Sequence, residues 1–158
     1  MPDSHEQFMR RAIALARDGV DKNLGGPFGC VVVKDGEIIG EGFNQVTSTN
    51  DPTAHAEVVA LREACRSLGS FQLTGCAIYT SCEPCPMCLG AIYWARPERI
   101  FIAATREDAA AAGFDDELFY NELDKPNAER QLKLESLLRE ESQMVFQHWI
   151  EKPDKVEY

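Results

Sequence analysis

Positive charge is scarce and never clustered in this sequence. Sixteen Lys and Arg residues face 26 Asp and Glu, for a formal net charge of -10, and no basic run exceeds the pair Arg10-Arg11. Phosphate neutralisation supplies much of a nucleic-acid binder's affinity. The balance therefore argues against tRNA or DNA as partner, although a local basic patch could still fit inside an acidic total. Long hydrophobic runs are missing too. No apolar stretch approaches the roughly 18 residues of a membrane span, and the opening MPDSHEQFMRRA holds no apolar signal core. The expectation is a soluble cytoplasmic protein without a membrane partner. There is no internal repeat and no linker. At 158 residues and 44% hydrophobic content, the chain is the size of one domain that buries a core without staples.

What the sequence does have is six cysteines: Cys30, Cys65, Cys76, Cys82, Cys85 and Cys88. In a cytosolic chain this size, clustered cysteines point to metal or redox chemistry more than to disulfides. Cys30, Cys65 and Cys76 fall in strand or helix stripes and read as small buried hydrophobes.

Periodicity predicts a first helix carrying Phe8, Ala12, Leu15 and Ala16, opened by a Ser4–Gln7 capping box and closed at Gly19. The stretch FGCVVVKDGEIIGEGFN reads as a hairpin turning at Lys-Asp-Gly, its second strand running from about Glu37 to Phe43. Thr53 is the expected N-cap of a helix from Ala54 to about Leu68. A strand at Cys76–Thr80, a helix at Pro86–Ala95 and a strand at Arg99–Ala104 follow, then a short helix from Glu107 to Ala112. A further strand near Leu132–Glu135 and a last helix around Ser142–Ile150 complete a layered α/β domain.

Two motifs carry chemistry. Cys85-Pro86-Met87-Cys88 puts two thiols three apart at the opening of a helix. That spacing shares a helix face, and the helix N-terminus favours thiolates. Two adjacent thiolates repel, so a divalent cation is the natural resident, and zinc takes S and N ligands. His55 is the obvious third ligand. One His and two Cys leave a fourth position open, as catalytic zinc sites do. His55 and Glu57 are two apart, yet both converge on an ion off the helix end if they occupy its first turn, because helical side chains lean toward the N-terminus. Glu57 would then move the protons of an attacking water. A redox Cys-x-x-Cys pair would leave His-x-Glu unexplained. A structural zinc or iron–sulfur site would recruit Cys82 as well.

His55-Ala56-Glu57 followed by Pro84-Cys85-Pro86-Met87-Cys88 resembles the signature of the zinc-dependent deaminases. It is this resemblance, whose signature takes Cys85 and Cys88, that leaves Cys82 as packing beside the site. The stretch from Phe8 to Ala104 resembles the cytidine-deaminase superfamily, and the strings GGPFG, NDPTAHAEV, YTSCEPCPMCLGAIYWAR and AAGFDD resemble its bacterial guanine deaminase branch. The resemblance implies a three-layer α/β/α fold around a mixed sheet of about five strands. It implies one zinc per chain and a small-molecule purine base as substrate, with guanine hydrolysed to xanthine and ammonia. Phe28 would stack on the base, Asn44 would hydrogen-bond it and Asp116 would recognise its edge. The branch also implies a homodimer in which the C-terminal segment, from about residue 140 to 158, is exchanged so that Tyr158 caps the partner's site. The bland alternatives are a turn for GGPFG, a turn-forming Asn44, a helix-starting acid pair at Asp115-Asp116 and a frayed tail. Trp94 reads as a core or pocket-wall aromatic, and His5 and His148 as surface or packing residues. The competing functions are a sibling deaminase acting on guanosine, cytosine or cytidine, or tRNA adenosine, and an inactive zinc-bearing binding module.

Overall fold

The computed structural model describes residues 4–158, and the chain divides into two compact units, Met1–Asp116 and Glu117–Tyr158. The first unit runs α1 (Ser4–Asp21), β1 (Gly29–Lys34), β2 (Glu37–Phe43), α2 (Val46–Thr49), α3 (Ala56–Leu68), β3 (Cys76–Cys82), α4 (Pro86–Ala95), β4 (Arg99–Ala104) and α5 (Arg106–Ala111). Its mixed sheet has the order β2-β1-β3-β4. β1 is antiparallel to both β2 and β3, whereas β4 runs parallel to β3 after the α4 crossover.

The hairpin turns where expected. Asp35 (φ 51) and Gly36 (φ 80) both take the left-handed conformation that a two-residue hairpin turn demands. β1 is buried on both faces, and period-two alternation sorts its side chains. Cys30 and Val32 join Ala56, Ala60, Leu61, Ala64, Ile78 and Ile92 in one apolar cluster, formed with α3 and α4. Val31 and Val33 join Ala12, Leu15 and Tyr79 in another, formed with α1. Helices therefore cover both faces of the sheet. His5 belongs to the second layer, with Nδ1 2.6 Å from the Tyr79 hydroxyl and its ring against Phe101.

β2 is where α3 is set. A Cβ added at Gly42 would stand 2.3 Å from the Ala56 carbonyl oxygen, and one at Gly40 2.5 Å from that of Ala60. Only glycine lets the α3 backbone approach this closely, and the contact fixes the helix end that carries His55 and Glu57.

Several boundaries differ from the sequence expectation. α1 continues past Gly19 to Asp21, because Gly19 is a packing position 3.2 Å, at its would-be Cβ, from the Phe43 ring. The N-cap of α3 is His55, not Thr53. Asp51 Oδ1 accepts from both the backbone N–H (2.8 Å) and the hydroxyl (2.7 Å) of Thr53, which draws that residue into the preceding turn. α5 is capped by Thr105, whose side chain and that of Asp108 make reciprocal bonds. Trp94 is 63% exposed and Tyr93 75%, so neither is a core residue.

The second unit contains α6 (Glu117–Leu123), a 3₁₀ turn (Asn127–Glu129) and α7 (Arg139–Glu151). Glu122 organises its start: its carboxylate accepts from Lys125 and from the Gln131 N–H, and its carbonyl from Arg130. Residues 132–135 form no strand, so the sheet counts four strands among the described residues. α7 exposes Met144, Val145, Phe146 and Ile150. No helix among the described residues is long and apolar enough to cross a membrane.

Candidate active site

Two helix N-termini meet at the site. His55 is the N-cap of α3 and Cys85 the N-cap of α4, each in extended conformation and neither spending its side chain on a cap bond. Pro86 at the first helical position of α4 fits its fixed φ and brings Cys88 round to the same side. His55 Nδ1 lies 3.6 Å from Cys85 Sγ and 3.4 Å from Cys88 Sγ. The ligand atoms of these three residues all fall within 4.8 Å of one another.

The triangle fits zinc. Tetrahedral bonds of about 2.3 Å to sulfur and 2.0–2.1 Å to nitrogen place N and S about 3.6 Å apart, close to both separations. Charge agrees. The Cys85 thiol is pushed down to about 4, chiefly by the hydrogen bond from Cys88 and then by His55 and the Cys88 backbone N–H. The Cys88 thiol is pushed up, first because it donates to Cys85 and next by burial. Adjacent thiols cannot both ionise without a cation between them. Cys82 stands outside the cluster: its Sγ is 3.6 Å from the Thr105 carbonyl, and burial raises its thiol to about 11.

Glu57 lies in the first turn of α3 and is only 5% exposed. Burial is the main cause of its raised pKa, opposed by its own backbone N–H and by the neighbouring Cys88 thiol. The carboxyl group thus sits in the helix turn that His55 opens, two residues from that ligand. Its Oε1 is also 3.3 Å from the hydroxyl of Thr80.

The remaining candidates divide. Asn44 is buried, and its N–H donates to the Phe28 carbonyl (3.1 Å). Its Oδ1 accepts from the N–H groups of Gly26 (3.3 Å) and Val46 (3.1 Å). Gln45 N–H donates to Ala54 O (2.9 Å), which ties this corner to the residue before His55. The Phe28 ring meets Phe114 edge-on, with centroids 5.0 Å apart. Both rings line a cavity of about 340 Å³ together with Ser81 and Cys82. Asp116 pairs with Arg106 (3.4 Å); desolvation is the largest influence on its pKa and raises it, and the charge of Cys85 also acts on it. Tyr158 belongs to the second unit and is 71% exposed. Sequence reasoning missed Thr80 and Phe114. Strand alternation puts Thr80 on the α3 face, and Phe114 stands inside the AAGFDD string beside Asp116.

Residues 2–104 match the profile of the cytidine and deoxycytidylate deaminase zinc-binding region. The chain belongs to that family. His55, Cys85 and Cys88 are positioned to hold the family's zinc. Among curated proteins, the chain is 57% identical to the guanine deaminase of Bacillus subtilis (strain 168), over 98% of this chain and 99% of that one. It is 35% identical to the tRNA-specific adenosine deaminase of Aquifex aeolicus (strain VF5), over 93% and 94%. The crystal structure of the Bacillus subtilis guanine deaminase superposes with a TM-score of 0.95, covering 98% of each chain at 57% identity.

Proposed function

We propose that this family member hydrolyses guanine to xanthine and ammonia. The observation that carries the reading is the pairing of the His55–Cys85–Cys88 triangle with Glu57, a carboxyl group 5% exposed in the helix turn that His55 opens. The likeness to a guanine deaminase along essentially its whole length selects the substrate within the family. Zinc, when bound, supplies the Lewis acidity that brings the ionisation of water near pH 7.

Glu57 does the proton work. It takes a proton from the water attacking C2 and delivers it to the neighbouring ring nitrogen, then takes the second proton from the new C2 hydroxyl and hands it to the exocyclic amine as the C2–N bond breaks. Guanine plus water becomes xanthine plus ammonia, with no proton left over. Asn44 has its Oδ1 committed to Gly26 and Val46, so its Nδ2 is the end that serves a substrate acceptor. Asp116 supplies the complementary acceptor for the N–H groups of guanine, and Phe28 the stacking face. Cytosine has no N–H at N3 to meet that carboxylate. The net charge of -10 opposes a tRNA substrate.

We also infer a homodimer that exchanges C-terminal segments, each chain remaining one deaminase domain. Two separate exposures support it. β4 is an edge strand whose Ile100 and Ile102 are exposed, near-neighbours in sequence of exposed Tyr93 and Trp94 on α4. α7 presents its own apolar residues to solvent. Seating α7 of one chain on another would bury both, with Tyr158 of the partner subunit closing over the base and excluding water. A cytoplasmic location belongs to the same reading, as expected from the sequence.

The test is amine release from guanine, guanosine, adenine and cytosine by metal-quantified protein. Guanine should yield stoichiometric xanthine and the others little; preferential turnover of another member of the panel would transfer the chain to a sibling activity.

A further inference from the structure

Cys76, Ile78 and Thr80 alternate along β3, with Cys76 and Ile78 in the apolar cluster formed with α3 and α4 and Thr80 opposite Glu57 of α3. Thr80 is the polar member of this file and is 1% exposed. Its backbone is occupied by the ladder, paired with Cys30 on one side and Ile102 on the other. Valine has the same branching and nearly the same volume, and would serve the strand and the core without burying a hydroxyl. The hydroxyl must therefore be accounted for by its partners. Oγ1 is 3.0 Å from the Cys82 carbonyl oxygen and 3.3 Å from Glu57 Oε1, and its single proton serves one of them at a time.

We propose that Thr80 is a positioning residue that holds the Glu57 carboxyl group toward the ligand triangle. This role rests on the deaminase reading above. Glutamate has three rotatable side-chain bonds, and proton transfer demands hydrogen-bond reach to the reacting atoms. Burial alone confines Glu57 without aiming it. Thr80, fixed by the strand ladder between Cys30 and Ile102, aims it from the sheet side. The hydroxyl proton goes to the Glu57 carboxylate while that is ionised, and to the Cys82 carbonyl once Glu57 is protonated and donates to Oγ1, so the contact serves a carboxyl group that gains and loses a proton in each turnover.

The experiment compares Thr80→Val and Thr80→Ser with the parent as zinc-loaded full-length proteins, by zinc content, steady-state kinetics on guanine and crystallography. Thr80→Val should keep the parent's zinc content and hold KM within about threefold, while kcat falls roughly ten- to hundredfold, the scale of one lost hydrogen bond to a charged group. Its crystal structure should show the Glu57 carboxyl group turned away from its parent position. Thr80→Ser, which restores the hydroxyl, should recover most of kcat. The proposal is overturned if Thr80→Val keeps kcat within about twofold of the parent, if Glu57 is unmoved in it, or if the variant loses zinc. Should Thr80→Val not fold, Thr80→Ala takes the same readouts. If the parent itself does not turn over guanine, the substrate assignment fails, and the position of Glu57 in the variant crystal still decides the role of Thr80.

Discussion

His55 Nδ1 lies 3.4 Å from Cys88 Sγ, although 33 residues separate them in the chain. The contact exists because α3 and α4 pack on one face of the sheet with their N-termini together, and because both N-cap side chains are left free for another partner. Replacing Cys85 or Cys88 by serine should therefore remove zinc and activity together, read by metal analysis beside an ammonia assay. Cys82→Ser should keep both, since that thiol faces the Thr105 carbonyl instead. Zinc lost from Cys82→Ser would mean a different ligand set.

Glu57→Gln keeps the size of the side chain and abolishes its basicity. The expected outcome is an unchanged zinc content and melting curve with turnover lowered by about 10²–10⁴-fold, the usual contribution of general acid–base catalysis. Activity within about tenfold of the parent would assign the proton transfers to another group.

Asn44 offers a sharper test of polarity. Asn44→Asp retains an Oδ1 able to accept from Gly26 and Val46 and loses the amino group. The variant should fold, because these two local bonds survive, and its kcat/KM for guanine should fall by roughly 10- to 100-fold, the scale of a hydrogen bond lost in the transition state. An unchanged kcat/KM would show that the amino group meets no substrate acceptor.

The exchanged tail predicts complementation. Deleting Val156 to Tyr158 should strongly reduce guanine turnover with zinc and folding intact. Mixing the truncated chain with Glu57→Gln, under conditions that let subunits reassort, should restore part of the activity, because the Glu57→Gln chain lends its tail to the intact site of the other. A fully active truncation, or a monomer in solution, would return the tail to a frayed end.

The ligand set and Glu57 were legible in the sequence because ligand chemistry writes itself as short spacings: His-x-Glu at one helix start and Cys-x-x-Cys at another. The hairpin and β4 were legible for a similar local reason, Asp-Gly at the turn and apolar runs beside it. The start of α3 was not. Thr53 is a good N-cap residue in isolation, but Asp51 captures it, and the cap position goes to a residue whose side chain serves the site. Gly19 looked like a helix stop because its packing against Phe43 is a long-range fact. Leu132 and Leu134 have strand-like alternation, yet a strand needs a neighbouring strand to bond with, and residues 132–135 have none among the described residues. Thr80 went unread because its meaning depends on which residue of α3 lies opposite it.

The central claim is that guanine hydrolysis belongs to a zinc held by His55, Cys85 and Cys88 beside Glu57. The most direct measurement removes zinc with a chelator, restores it in steps, and follows xanthine production against zinc bound per chain. Turnover should rise in proportion to occupancy and level off at about one zinc per chain, as expected for one catalytic site with three protein ligands. Undiminished xanthine production by the metal-free protein, or none at full zinc occupancy, would contradict the account.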